Sequence, residues 1–319
     1  METITHRAII GIDVARDWLD IHSLPEGQSQ RLPNTDEGHI RLAKQAQSID
    51  ALVCFEATGG QEWKLWGALD KAGVSTRQLP PAQIKAFAAS RGTRAKTDRI
   101  DAELIARFMQ FRPNAGRNLP VEKVRFLRAL TSKRGQLVET RKRLLAQIKA
   151  HEKMGTADLF TAIDVELKTL LEKQIIALEK QIENTIASDD QLKKTVNIMR
   201  SVPGIGPVAS AMLIAELPEL GQITGRQAAA LTGLAPIAQD SGAMRGKRVI
   251  GGGRRLLRHV LFQAALVASH HNPSLKIFAD RLRKAGKPHK VIIVAVARKL
   301  VTIVNTLCKS RQNWNIENV

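Results

Sequence analysis

Four carboxylates, Asp13, Glu56, Asp98 and Asp101, stand in this chain where a metal-dependent nuclease would want ligands. Asp13 lies near the end of the apolar run Ala8 to Val14, which reads as a buried strand. Glu56 repeats the device at the end of Ala51 to Glu56, just before Ala57-Thr58-Gly59-Gly60 breaks the strand. Asp98 and Asp101 begin a stretch with helical spacing (Ile100, Leu104, Ile105, Phe108), and residues three apart share a helix face. Other acids have blander readings. Alternation places Asp17 and Asp20 on exposed positions at least as readily as in the site, Glu103 faces away from Asp101, and Glu62 begins an amphipathic helix as a solvated or first-turn residue.

A second candidate lies far downstream. Ser241 sits beside Gly242 in a glycine-rich, basic segment that runs from Leu231 to Arg255 and carries Arg245, Lys247, Arg248, Arg254 and Arg255. Cations at that spacing suit a scissile phosphate and the charge of its transition state. These residues alone leave Ser241 either a nucleophile or a plain loop serine. Upstream, Val202-Pro203-Gly204-Ile205-Gly206 between two helical stretches has the form of a helix-hairpin-helix turn. There Gly204 and Gly206 would open backbone N–H groups to a DNA phosphate.

The charge balance names the class of partner. The 49 Lys and Arg against 30 Asp and Glu leave a net charge of +19, as expected of a polyanion binder. The excess is uneven: residues 1–112 carry 15 basic and 14 acidic side chains, whereas residues 200–319 carry 18 and 5. A near-neutral region with clustered carboxylates and a basic region suggest chemistry in one place and grip in another. The chain has no tyrosine, which excludes any strand-breaking mechanism through a phosphotyrosine linkage. Cys54 and Cys308 are isolated, no signal peptide is expected, and the most apolar stretch, Val291 to Ala297, is too short to span a bilayer. A reducing cytoplasm and no membrane partner follow as expectations.

The elements that must position these residues fall into three regions. Residues 1–115 read as an α/β domain: strands at Ala8 to Val14 and Trp18 to Leu24, a turn at Pro25-Glu26-Gly27 and a helix from the start signal at Asn34 to Glu37. The Glu56 strand, a helix over Trp63 to Lys71 and a strand over Val74 to Leu79 follow, with a break at Pro80-Pro81. This order resembles the ribonuclease H-like, RuvC-like fold, in which carboxylates from two strands and a last helix converge on metal. Residues 116–195 read as a coiled-coil connector, from Leu130, Leu137 and Leu144 and from Leu171, Ile175, Leu178 and Ile182. Its two helices, interrupted near Gly155, form a hairpin within one chain or pair with another chain. Residues 196–319 read as a mainly helical domain that ends in a helical hairpin split near Gly286-Lys287-Pro288.

Taken together, Gly11-Ile12-Asp13-Val14-Ala15, Phe55 to Gly59, Lys96 to Ala102, Val202 to Gly206, Asp240-Ser241-Gly242 and Leu256-Leu257-Arg258 resemble the DEDD transposases of insertion-sequence family one-ten, nearly end to end and in order. The resemblance implies a RuvC-like catalytic domain and a C-terminal transposase domain with a serine nucleophile, Ser241. It implies metal ligation by Asp13, Glu56, Asp98 and Asp101, with one or two Mg²⁺ ions that Mn²⁺ replaces, since hard cations take oxygen ligands. It also implies guidance by a bridge RNA pairing with donor and target double-stranded DNA, and assembly from dimer to tetramer in the bacterial cytoplasm, at the nucleoid. Two other readings of the residues stay open: a Holliday-junction type endonuclease in which the carboxylates activate water, and a non-catalytic binder on a degenerate nuclease fold.

Overall fold

The structure is a computed structural model that describes residues 8–92, 98–238, 240–242, 244–246 and 248–315; the side chains at 98 and 99 are outside the described set. Two compact units result, Met1–Pro120 and Val121–Val319.

The first unit is a mixed sheet covered by helices. In chain order it contains β1 (Ile9–Val14), β2 (Trp18–Leu24), β3 (Gln28–Pro33), α1 (Asp36–Ser48), β4 (Leu52–Glu56), α2 (Glu62–Lys71), β5 (Thr76–Leu79), α3 (Pro81–Ser90) and α4 (Asp98–Phe111). The strand order is β3-β2-β1-β4-β5. β1, β2 and β3 form an antiparallel meander, and β4 and β5 extend it in parallel to β1. Parallel neighbours need crossovers, and α1 and α2 supply them. Thr35 caps α1 by accepting a hydrogen bond from the Gly38 N–H at 3.3 Å.

Alternation along the strands divides the core in two. Ile10, Ile12, Val53 and Phe55 face Leu42, Leu65, Trp66 and Leu69 of α1 and α2. On the other face, Cys54 and Leu79 meet Ile84 of α3 and Leu104, Ile105, Phe108 and Met109 of α4. β3 has no hydrophobic alternation in sequence, because an edge strand with only Leu32 buried needs none. Pro80-Pro81 is more than a break: Pro81 takes the first position of α3, where its missing N–H costs nothing.

The second unit is mainly helical. It comprises α5 (Glu122–Met154), α6 (Thr161–Ala187), α7 (Asp190–Arg200), α8 (Pro207–Glu216), α9 (Gly225–Leu231), α10 (Arg255–His271), α11 (Pro273–Lys284) and α12 (His289–Ser310). A small ribbon of β6 (Pro236–Ile237), β7 (Asp240–Ser241), β8 (Met244–Arg245) and β9 (Val249–Ile250) is inserted before α10. Gly155 ends α5 in the left-handed conformation at φ 71°. α6 then folds back along α5 within the same chain, pinned by Arg134 to Glu179 at 2.7 Å, and Lys123 of α5 binds Asp189, the N-cap of α7, at 3.0 Å. Val124, Leu127 and Leu130 of α5 and Ile182 and Ile186 of α6 share one core with α7, α8, α10 and α12. The core therefore runs through residue 195 without a break. α12 is long and apolar enough by length and composition to cross a membrane, yet half of its most apolar window is buried among the unit's other helices, as in the core helix of a globular domain.

Candidate active site

A missing side chain sets the position of α4 on the sheet. A Cβ on Gly11 would come within 2.5 Å of the Ala106 nitrogen and 2.8 Å of the Ala106 Cβ, so only glycine lets α4 lie directly on β1. Across the sheet Gly11 pairs with Cys54, whose thiol donates to the Ile10 carbonyl at 3.4 Å and the Ile105 carbonyl at 3.8 Å. Burial pushes that thiol well above its ordinary pKa. Cys54 is thus a packed strand residue.

This packing sets Asp13 and Glu56 on neighbouring strand positions and lays the first turns of α4, which carries Asp101, against β1. Asp13 is two residues beyond Gly11 and so lies on the α4 face of β1. Ile12 pairs with Phe55 in parallel register, so Glu56, one residue on, stands beside Asp13 on that same face. Ala102 and Ala106 of α4 meet Gly11, so the first turns of α4 lie against the stretch of β1 that carries Asp13. Asp101 lies in the first of these turns. All three side chains are half-buried. The Asp98 side chain lies outside the described residues.

The face holds a further carboxylate, Asp20. Asp20 pairs directly with Asp13 across β1 and β2 and is buried, so of the two positions its alternation allows it does not take the exposed one. Like charges at facing strand positions repel. Arg31, the register partner of Asp20 on β3, binds both Asp20 oxygens at 2.9 Å, so Asp13 adjoins an ion pair instead of a second bare charge. The edge strand that alternation misses is what delivers this arginine. Glu103 points off this face and bonds Arg107 at 2.5 Å, which holds its pKa below the ordinary carboxylate value. Asp17 pairs with Arg16 on the surface.

Glu62 corrects the sequence reading most clearly. It stands in the first turn of α2 but is 2% exposed and therefore not solvated. Its Oε2 accepts from the Gly60 N–H at 3.0 Å, the Thr58 hydroxyl at 3.1 Å and the Thr58 N–H at 3.3 Å, while Oε1 accepts from the Gln78 amide at 2.7 Å. Oε1 of the Gln78 side chain accepts from Arg117 Nε at 2.7 Å. Glu62 therefore holds the loop that leaves Glu56. Periodicity scores an acid at a helix start as solvated; the overlooked signal is the glycine and threonine N–H groups immediately before it.

The donor set at the sheet end is made of carboxylate oxygens, which suits a hard divalent cation and no soft one. Among the described residues, no three side chains already stand as a closed ligand group, and the expected fourth ligand, Asp98, lies outside them. The donor chemistry suits a hard divalent cation.

In the second unit, Ser241 lies exposed on a short antiparallel ribbon. Asp240 pairs with Arg245 and Ser241 with Met244, and Gly242 turns the chain at φ 52°. Pro236 and Ile237 pair with Ile250 and Val249 at the ribbon's base. Arg248 bonds Asp240 at 2.8 Å, Arg245 and Arg255 are exposed, and Lys247 lies outside the described residues. Arg254 binds Glu219 through two hydrogen bonds, of 2.9 and 2.6 Å. The base is locked by glycine: a Cβ on Gly253 would strike the Gly233 backbone, and Arg258 donates to the Gly252 carbonyl at 2.8 Å. Gly204, at φ 108°, packs against α10, where a Cβ would lie 2.6 Å from that of Ala268. Gly206 caps α8 and faces open space.

Comparison with known proteins matches residues 10–152 to the DEDD transposase model of IS110 and residues 196–280 to the transposase IS116/IS110/IS902 family. The pilin gene-inverting proteins of Moraxella lacunata and Moraxella bovis are each 28% identical over 93% of this chain and 94% of their own length. An insertion element IS900 protein of Mycobacterium paratuberculosis is 31% identical over 42% of this chain and 35% of its own. A solved structure of T. thermophilus RuvC in complex with Holliday junction substrate aligns at 18% identity and a TM-score of 0.27, covering 35% of this chain and 99% of that one.

Proposed function

We propose that this chain, which belongs to the IS116/IS110/IS902 family of transposases and is thus an enzyme acting on DNA, cuts and rejoins DNA through a phosphoserine ester on Ser241. The observation that supports the reading is the placement of Asp13 beside Glu56 on the adjacent parallel strands β1 and β4, with α4, whose first turn holds Asp101, packed on the same face. Asp13, Glu56, Asp98 and Asp101 would hold one or two Mg²⁺ ions, or Mn²⁺ in their place. Bound there, such an ion neutralises phosphate charge and lowers the pKa of an attacking hydroxyl.

The chain's own groups do the rest. The Ser241 oxygen attacks phosphorus and loses its proton to water, while the deoxyribose oxygen departs and takes up a proton; a phosphoserine ester replaces the phosphodiester. The hydroxyl of a second strand then attacks the same phosphorus and expels serine, so no bond energy is lost to hydrolysis. Arg245, Lys247 and Arg248 neutralise the phosphate, with Arg255 and the α8 turn at Gly204 and Gly206 gripping the backbone. Arg254 serves instead to anchor the ribbon through Glu219. Sequence choice belongs to a bridge RNA that pairs with donor and target DNA in the bacterial cytoplasm, and the working form is a homo-oligomer, a dimer that assembles to a tetramer. Rejoining accords with relatives named for inverting a gene.

The test is to incubate protein, guide RNA, DNA and Mg²⁺, denature, and look for protein covalently bound to DNA. Wild type should give the adduct. Ser241→Ala should give neither adduct nor joined product, and Asp13→Asn should bind DNA without cutting it. Cleavage by Ser241→Ala at the wild-type rate would replace this mechanism with metal-assisted hydrolysis.

A further inference from the structure

Beside the serine ribbon, a groove of about 580 Å³ opens between its base and α11 and α12. Its floor is apolar, with Ile250, Phe278, Val294 and Ile303 half-buried. Its rim is cationic: Arg248, Lys290, Arg298 and Lys299 line it, all exposed, and none of the lining residues is acidic. Lys299 is held over the Phe278 ring at 4.8 Å, which fixes an ammonium at the mouth. The volume lies within the range of about 300–1,000 Å³ typical of small-ligand clefts, so a nucleotide fits and a duplex does not.

We infer that this groove seats one unpaired nucleotide of the DNA strand engaged by the ribbon, its base on the apolar floor and its phosphate on the rim. The assignment rests on the reading of the second unit as DNA-acting. An apolar slot ringed only by cations matches a flat base carrying an anion, and a base must leave the stack to enter it. Arg248 gives the seat a consequence. It bonds Asp240, the neighbour of Ser241, so a phosphate that draws Arg248 into the groove frees Asp240 and alters the setting of the serine.

The probe is a short single-stranded DNA with one 2-aminopurine, bound to the full chain carrying Ser241→Ala so that no strand is cut. Binding should quench the probe's fluorescence. Ala295→Trp, which fills the groove, should restore it and weaken binding about tenfold, the size of one lost base-stacking contact. Lys290→Gln and Arg298→Gln change only exposed side chains and keep the fold; each should lower the salt dependence of log K by about 0.7, one single-strand phosphate. Unchanged affinity and quenching in all three variants would overturn the assignment. Groove-dependent quenching by the matching RNA strand but not by DNA would overturn it too. These measurements need no cleavage: a missing covalent adduct with groove-dependent binding intact refutes the serine mechanism alone.

Discussion

Removing the Glu62 carboxylate should unlatch the loop after Glu56. Glu62→Ala strands four donors inside the protein: the Thr58 and Gly60 N–H groups, the Thr58 hydroxyl and the Gln78 amide. A buried donor left unpaired costs about 1–3 kcal/mol, and some of these will find water, so a loss of about 3–5 kcal/mol is expected in the first unit. Glu62→Gln should cost less, about 1–2 kcal/mol, because its oxygen can keep the three bonds at the Oε2 position. Its nitrogen then opposes the Gln78 amide, which cannot flip without giving up Arg117. Urea unfolding followed by the fluorescence of Trp63 and Trp66, beside Glu62 on α2, reads the loss. Hydrogen exchange at Gly60 should accelerate in Glu62→Ala and much less in Glu62→Gln. If Glu62→Ala unfolds within about 0.5 kcal/mol of wild type, the loop is organised by something else and the reasoning fails.

Two other outcomes follow from the same sheet. Gly11→Ala should destabilise the first unit by at least about 2 kcal/mol and lift α4 off β1, because the neighbours of the new methyl are the α4 backbone and not a flexible side chain; an unshifted urea midpoint would show that α4 is not seated on Gly11. His39 is 1% exposed, and burial lowers its pKa against the opposing pull of Asp36, with Lys64 adding to the lowering. The unfolded chain therefore binds the proton more readily, so stability is full above the ordinary histidine pKa of about 6.5 and falls as pH drops below it. Urea midpoints at pH 8 and pH 5.5 should differ in wild type and converge in His39→Gln. The depressed Glu103 pKa acts in the same direction but only below about 4.5, outside that window.

The elements that carry the candidate residues were legible in the sequence because they are written locally. Strand alternation and the breaks after Val14 and Glu56 locate Asp13 and Glu56, helical spacing locates Asp98 and Asp101, and the absence of tyrosine excludes one whole class of strand chemistry. The mixed α/β and helical halves are local patterns too. Tertiary structure alone decided what each acid faces. Asp20 and Asp13 are seven residues apart in sequence, and only strand pairing sets them side by side; only an edge strand with no hydrophobic signature brings Arg31 to neutralise one of them. Glu62 and Gln78 meet across a helix, and the basic groove gathers residues 234 to 303 from four separate segments. Periodicity records which face of an element is apolar, whereas the partner of a buried charge depends on what the fold lays against that face.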